Sequence, residues 1–98
     1  MLFAFIGKDK PGGLQLRTDT RPPHVAFLEK LNAEGMLKFA GPFLDDDGKP
    51  MGSLVVIEAA DKKSAEAILA EDPFAKAGLF ASTEIRQWNW AFNKPQGM

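Results

Sequence analysis

The segment Gly52 to Ala60 reads GSLVVIEAA and is followed directly by Asp61. Its centre, Leu54 to Ile57, is apolar at every position, which is typical of a strand buried on both faces. Asp61 is a good N-cap for a helix that we predict from Lys62 to about Glu71. The sequence DPF at Asp72 to Phe74 breaks this helix and begins a short turn.

The other predicted elements place this strand third in a sheet of four. They are strands at Leu2 to Ile6, Met36 to Leu44 and Ser82 to Phe92, and a helix from about Pro22-Pro23 to Gly35. Pro11-Gly12-Gly13 predicts that Lys8 to Thr20 is a loop. Pro42 cannot donate to a ladder, so its strand should lie at an edge or carry a bulge. The order βαββαβ predicts a single ferredoxin-like α+β domain over residues 1 to 98, with an antiparallel sheet and two helices on one face.

Composition excludes several classes of function. The net charge of −1 argues against a nucleic-acid-binding surface. The chain has no Cys and one His, so a thiol nucleophile, a disulfide framework and a multi-histidine metal site are excluded. No stretch approaches the length of a membrane span, and the apolar start at Met1 to Gly7 lacks the features of a signal peptide. We therefore expect a soluble cytoplasmic protein.

The apolar strands predict a homodimer. Strands one and three are apolar at successive positions, so both faces of the sheet require burial, and two helices cover only one face. A second copy that packs its open sheet face against the first would bury the other. The alternative is that the chain's own tail shields this face. This tail, residues 93 to 98, is short and polar, so it would cover the face poorly. Trp88, Trp90 and Phe92 share one face of the last strand, where they are assigned to the core or the dimer interface.

His24 and Asp72 are the candidate catalytic residues. His24 precedes Phe27, Leu28 and Leu31 at helical spacing, so it should face the sheet from the first turn of its helix. Asp72 continues the inward stripe of the second helix. Because the two helices run antiparallel, both residues reach the same end of the sheet, where the carboxylate would orient an imidazole acting as general acid or base. The alternative is that Asp72 caps the following turn and that His24 is a packing or surface residue.

Four further residues, Arg17, Ser53, Gly41 and Pro42, should surround this pair. Arg17 could supply a cation to an anionic ligand from the mobile loop, whereas Arg21 is assigned to solvent. Ser53 could donate a hydrogen bond into the cleft, or be only a strand-end residue. Gly41 and Pro42 should shape a wall of the cleft.

The sequence shows no cofactor or metal motif. Asp45 to Asp47, followed by Gly48, lacks the spacing of a calcium loop and is assigned to a solvated hairpin turn. Haem iron is commonly held by a His ligand, but the position of His24 on the first helix does not indicate a haem site.

The same residues carry a resemblance to a known family. His24, Gly41-Pro42-Phe43, Gly52-Ser53-Leu54 and Asp72-Pro73-Phe74 stand in the order and spacing of the YciI-like (YCII-related) family, over nearly the whole chain. The resemblance implies a dimeric α+β barrel and a His–Asp pair that maps onto His24 and Asp72. It also implies a likeness in fold to muconolactone isomerases and, for one member, dehydrochlorination of a chlorinated hydroxyquinone.

The function expected from the sequence is a small-molecule enzyme. Its reaction would be an isomerisation or an elimination on a small, cyclic, oxygenated anion. The alternatives are a non-catalytic metabolite-binding or regulatory module that uses the same pocket, and a structural dimerisation domain whose cleft is filled by side chains.

Overall fold

The computed structural model describes residues 1 to 97 and has an α+β architecture. Its elements are β1 (Leu2–Asp9), α1 (Leu14–Ala33), β2 (Leu37–Leu44), β3 (Pro50–Glu58), α2 (Lys62–Leu69), α3 (Pro73–Lys76) and β4 (Phe80–Trp88). The predicted βαββαβ order is confirmed, with the short helix α3 added where only a turn was expected. No helix within residues 1–97 is both long enough and apolar enough to cross a membrane.

The four strands form one antiparallel sheet in the order β2-β3-β1-β4. Strands β1 and β3 are central, as their continuous apolar sequence predicts. Strand β2 lies at an edge, which accommodates Pro42 opposite Ser53, and its pairing with β3 shifts register twice. The edge position and the irregularity are thus both confirmed.

The predicted start of the first helix is wrong. Helix α1 begins at Leu14 and runs for 20 residues, so Pro22 and Pro23 lie in its interior and most of the predicted loop is helical. A proline pair is typical of a first turn because each proline lacks the N–H that an interior position would donate. Here the helix continues through them and ends at Ala33, close to the predicted stop at Gly35, whose φ of +77° suits glycine.

The core lies between the sheet and the helices. Phe3, Phe5, Val55 and Ile57 point to the helix side and pack with the apolar stripes of α1 and α2. The Ser64 backbone N–H donates to the carboxylate of Asp61 at 2.7 Å, which confirms the predicted N-cap of α2. This backbone hydrogen bond, helped by the Ser64 side chain, lowers the pKa of Asp61.

The opposite face of the sheet is partly covered by aromatic residues of the same chain. Strand β4 ends at Trp88, short of the predicted Phe92, and Trp90 lies beyond it. Trp88, Trp90 and Phe39 pack together with ring centroids 5.1–5.6 Å apart. Phe39 pairs with Val56, which points away from the core and is only 1% exposed. Phe92, by contrast, is 86% exposed.

Candidate functional site

His24 and Asp72 are in direct contact. The Nδ1 atom of His24 lies 2.8 Å from the Oδ1 atom of Asp72, and both side chains are buried. Helix α1 supplies His24 from its middle, so the predicted position in a first turn is wrong, because the helix begins ten residues earlier. A carboxylate accepts hydrogen bonds only, so Nδ1 donates to Asp72 and the neutral imidazole keeps its lone pair on Nε2.

Asp72 is also the N-cap of α3. The Phe74 backbone N–H donates to the same Oδ1 atom at 2.9 Å. Pro73 occupies the first helical position, where its missing N–H costs nothing. The two interpretations offered by the sequence, a cap and a partner of His24, therefore hold together, because one oxygen accepts both bonds.

Phe74 supports the imidazole of His24 from one side. The two rings are stacked, with centroids 3.8 Å apart and an interplanar angle of 14°. The guanidinium carbon of Arg17 lies 4.6 Å from the centroid of the same ring. Since the imidazole fills one face of Phe74, the guanidinium takes the other. Arg17 and His24 are seven residues apart on α1, so the phenyl ring is held between side chains two helical turns apart.

Arg17 is held by a buried ion pair. Its Nε and Nη2 atoms donate to the two carboxylate oxygens of Asp9 at 2.7 and 3.0 Å, and Nη2 also donates to the hydroxyl of Ser53 at 2.7 Å. The prediction of Arg17 on a mobile loop is therefore wrong, because it lies on α1 and is only 6% exposed. Asp9 already offsets its charge.

Two nitrogen atoms of these side chains remain accessible. Every fully buried side-chain nitrogen or oxygen in residues 1–97 has a hydrogen-bond partner. Within the same range, Nε2 of His24 and Nη1 of Arg17 have none, so neither atom is fully buried. Nε2 is thus open to a ligand, while Nδ1 is fixed by Asp72.

These side chains line a cavity of about 270 Å³. Helix α1 contributes His24 and Arg21 to the lining. Strand β2 contributes Gly41 and Pro42, and the neighbouring strand β3 contributes Ser53. Arg21 lies on α1 at the cavity, and it is exposed, as the sequence predicts. In residues 1–97, no group of three His, Cys, Asp or Glu side chains is arranged to hold a metal ion.

Sequence reasoning missed Asp9 and Phe74. The sequence predicts a loop from Lys8 because Gly7 is expected to end the first strand, whereas β1 continues to Asp9. A usable signal was present in α1: its buried residues Arg17, His24 and Leu31 are spaced by seven, which is one helical face. Continuing this spacing of seven residues upstream of the proline pair places Arg17 on the buried face of the helix.

Known proteins resemble this chain over most of its length. Protein YciI of Escherichia coli is 32% identical over 98 residues, which cover 94% of this chain and 100% of that protein. An uncharacterised protein of Haemophilus influenzae is 30% identical over the same shares.

Solved structures also match. The 5-chloro-2-hydroxyhydroquinone dehydrochlorinase of Burkholderia phenoliruptrix AC1100, in complex with 2,5-dihydroxybenzoquinone, is 39% identical with a TM-score of 0.81. The match covers 91% of this chain and 94% of the enzyme. A Nitrosomonas europaea protein of unknown function, 22% identical with a TM-score of 0.54 over 98% and 95% of the two chains, shares the fold. The model of the YCII-related domain matches residues 1–89, and the chain belongs to this family.

Proposed function

We propose that the protein is a small-molecule enzyme in which His24 is the general acid or base and Asp72 orients it. The observation that carries this proposal is the 2.8 Å bond between Nδ1 and Asp72, beside a cavity that His24 lines. The carboxylate holds one tautomer and stabilises the imidazolium that forms when Nε2 takes a proton.

The proposed chemistry is proton abstraction followed by isomerisation or elimination. His24 Nε2 removes a proton bound to a ring atom of the substrate, and the electron pair of that bond moves into the ring. In an isomerisation, the imidazolium returns the proton to another atom. In an elimination, the electron pair expels a leaving group such as chloride, and the imidazolium later gives its proton to solvent.

A small oxygenated ring suits this cavity. About 270 Å³ accommodates a single six-membered ring, and Val25, Leu28 and Pro42 give the lining an apolar part. A relative 39% identical to this chain is a dehydrochlorinase of a chlorinated hydroxyhydroquinone. That relative supports the ring class and elimination for this chain, and we propose both here.

The test begins with chloride release from 5-chloro-2-hydroxyhydroquinone, the substrate named for the relative. A thermal-shift screen of cyclic and aromatic acids, followed by turnover assays of the compounds that bind, extends the search. Replacing His24 by Ala, or by Gln as a variant closer in volume, should lower kcat by at least about a hundredfold. Gln15→Ala, on the same helix outside the cavity, is the control and should leave kcat unchanged.

Two outcomes contradict the proposal. Turnover that persists in folded His24→Ala and His24→Gln proteins would remove His24 from the chemistry. Compounds that bind without turnover would favour a metabolite-binding module.

We also propose that the protein is a homodimer joined through the open face of its sheet. The aromatic cluster of Phe39, Trp88 and Trp90 covers only part of that face. Ile6 and Phe43 also point to the open side and remain 39% and 40% exposed. A second copy packed on these side chains would bury them.

A further inference from the structure

The lining of the cavity has an uneven distribution of charge. Among residues 1–97, two arginines line it, Arg17 and Arg21, and no aspartate or glutamate does. The carboxylates of Asp9 and Asp72 contact two of the lining residues, Arg17 and His24. The chain as a whole has a net charge of −1, so this excess of positive charge is local to the cavity.

Arg21 differs from Arg17 in having no counter-charge. Asp9 forms a buried, two-bond ion pair with Arg17, which offsets that guanidinium. Arg21 is exposed and forms no ion pair with any of residues 1–97. Its charge is therefore available to a ligand.

The spacing along α1 brings Arg21 next to the proposed base. Residues three apart are neighbours on one helical face, so Arg21 lies one turn from His24, at a rise of about 4.5 Å. A six-membered ring spans a similar distance. One ring can therefore present a hydrogen to Nε2 of His24 and a charged oxygen to Arg21 at the same time.

We infer that Arg21 selects substrates that carry an ionised oxygen, by pairing its guanidinium with that oxygen at the mouth of the cavity. The inference rests on the proposed function, because it names the substrate class of the same site. Arg21 contacts the substrate and sets its affinity, whereas His24 moves the proton. Loss of Arg21 should therefore raise KM for an anionic substrate far more than it lowers kcat.

The test compares two quinones that differ in charge. The first probe is 2,5-dihydroxybenzoquinone, the ligand seen in the relative. Its hydroxyl groups are strongly acidic, because each is conjugated to a carbonyl as in a carboxylic acid, so it is an anion at neutral pH. The second probe is its dimethyl ether, which has the same ring and no negative charge. Titration calorimetry gives the Kd of each probe.

Arg21→Gln should weaken binding of the anion by about tenfold and leave binding of the ether unchanged. Arg21→Lys keeps the charge and should recover part of the affinity. Lys30→Gln is the matched control, because it removes one positive charge from α1 outside the cavity lining and should change neither Kd.

The inference is overturned if the unaltered protein binds the anion no more tightly than the ether, or if Arg21→Gln binds the anion as tightly as the unaltered protein. If neither probe binds the unaltered protein, the selection of an ionised ring oxygen by Arg21 is overturned, whereas the catalytic role of His24 is decided separately by the turnover of His24→Ala. If Arg21→Gln loses the anion while His24→Ala keeps its turnover of an identified substrate, the selection stands and the catalytic role of His24 falls.

Discussion

Asp72 uses one oxygen atom for two purposes. Its Oδ1 atom accepts the Phe74 backbone N–H, which starts α3, and it contacts Nδ1 of His24. A neutral amide oxygen can accept both bonds, but it lacks the charge that stabilises an imidazolium. Substitution at this residue can therefore separate the stability of the fold from the proposed chemistry.

We expect Asp72→Asn to change the free energy of unfolding by less than about 1 kcal/mol, because Asn is as good an N-cap as Asp. Its kcat should fall at least about tenfold. Asp72→Ala should lower the free energy of unfolding by roughly 2–4 kcal/mol, from the lost cap and the unpaired imidazole N–H. Urea denaturation and the turnover assay measure the two effects.

Asp61→Ala is the control, since Asp61 caps α2 and has no contact with His24. It should lower the melting temperature at neutral pH and leave kcat unchanged. Because the pKa of Asp61 is lowered in the fold, its contribution to stability is present at neutral pH and is lost as acid protonates it. Equal losses of kcat in Asp72→Asn and Asp61→Ala would contradict a special role for Asp72.

At the level of secondary structure, the first half of α1 is tied to the sheet by Arg17 and Asp9. Both side chains are buried, at 7% and 5% exposure, so either charge left alone would be costly. This tie holds the segment of α1 upstream of the two prolines against the end of β1. It also keeps Arg17 against Phe74 and so contributes to the stack beneath His24.

The single variant Asp9→Ala should lower the free energy of unfolding by about 3 kcal/mol, because it leaves Arg17 buried without a partner. The double variant with Arg17→Met should cost less than the sum of the two single variants, since no charge is left unpaired. Urea denaturation of the four proteins closes the double-mutant cycle. Additive losses would show that the pair contributes no coupling.

The helix directions and the start of α1 show where sequence reasoning succeeds and fails. The antiparallel helices followed from the order of elements, and they brought His24 and Asp72 together although the start of α1 was wrong. That error came from Pro22 and Pro23, which obey a local rule that tertiary contacts override. The partner of Arg17 could not be predicted, because Asp9 lies in another element and the pairing depends on how α1 crosses the sheet.

At the level of the whole molecule, the sheet has two unequal halves on its open side. Near Val56, aromatic side chains of the same chain provide the cover, whereas Ile6, Phe43 and Leu44 remain exposed. The proposed dimer would use this second half. The tail beyond residue 92, considered as a cover from the sequence, is exposed through residue 97.

We expect light scattering after gel filtration to give twice the 10.7 kDa mass of the chain. Ile6→Glu places a charge on the open face and should shift the protein to monomer. Leu16→Glu is the control, because Leu16 is similarly exposed but lies on α1. A monomer in the unaltered protein, or dissociation by both variants, would contradict the proposed interface.

The edge strand β2 and His24 line the cavity from two different elements of the fold. Gly41 and Pro42 line the cavity and are exposed, whereas Asp72 and Phe74 contact His24 of α1. Mutations in β2 can therefore reshape the cavity while His24 and Asp72 keep their geometry. A directed-evolution library confined to residues 40–43 should therefore change which ligands bind while the His24–Asp72 contact stays in place.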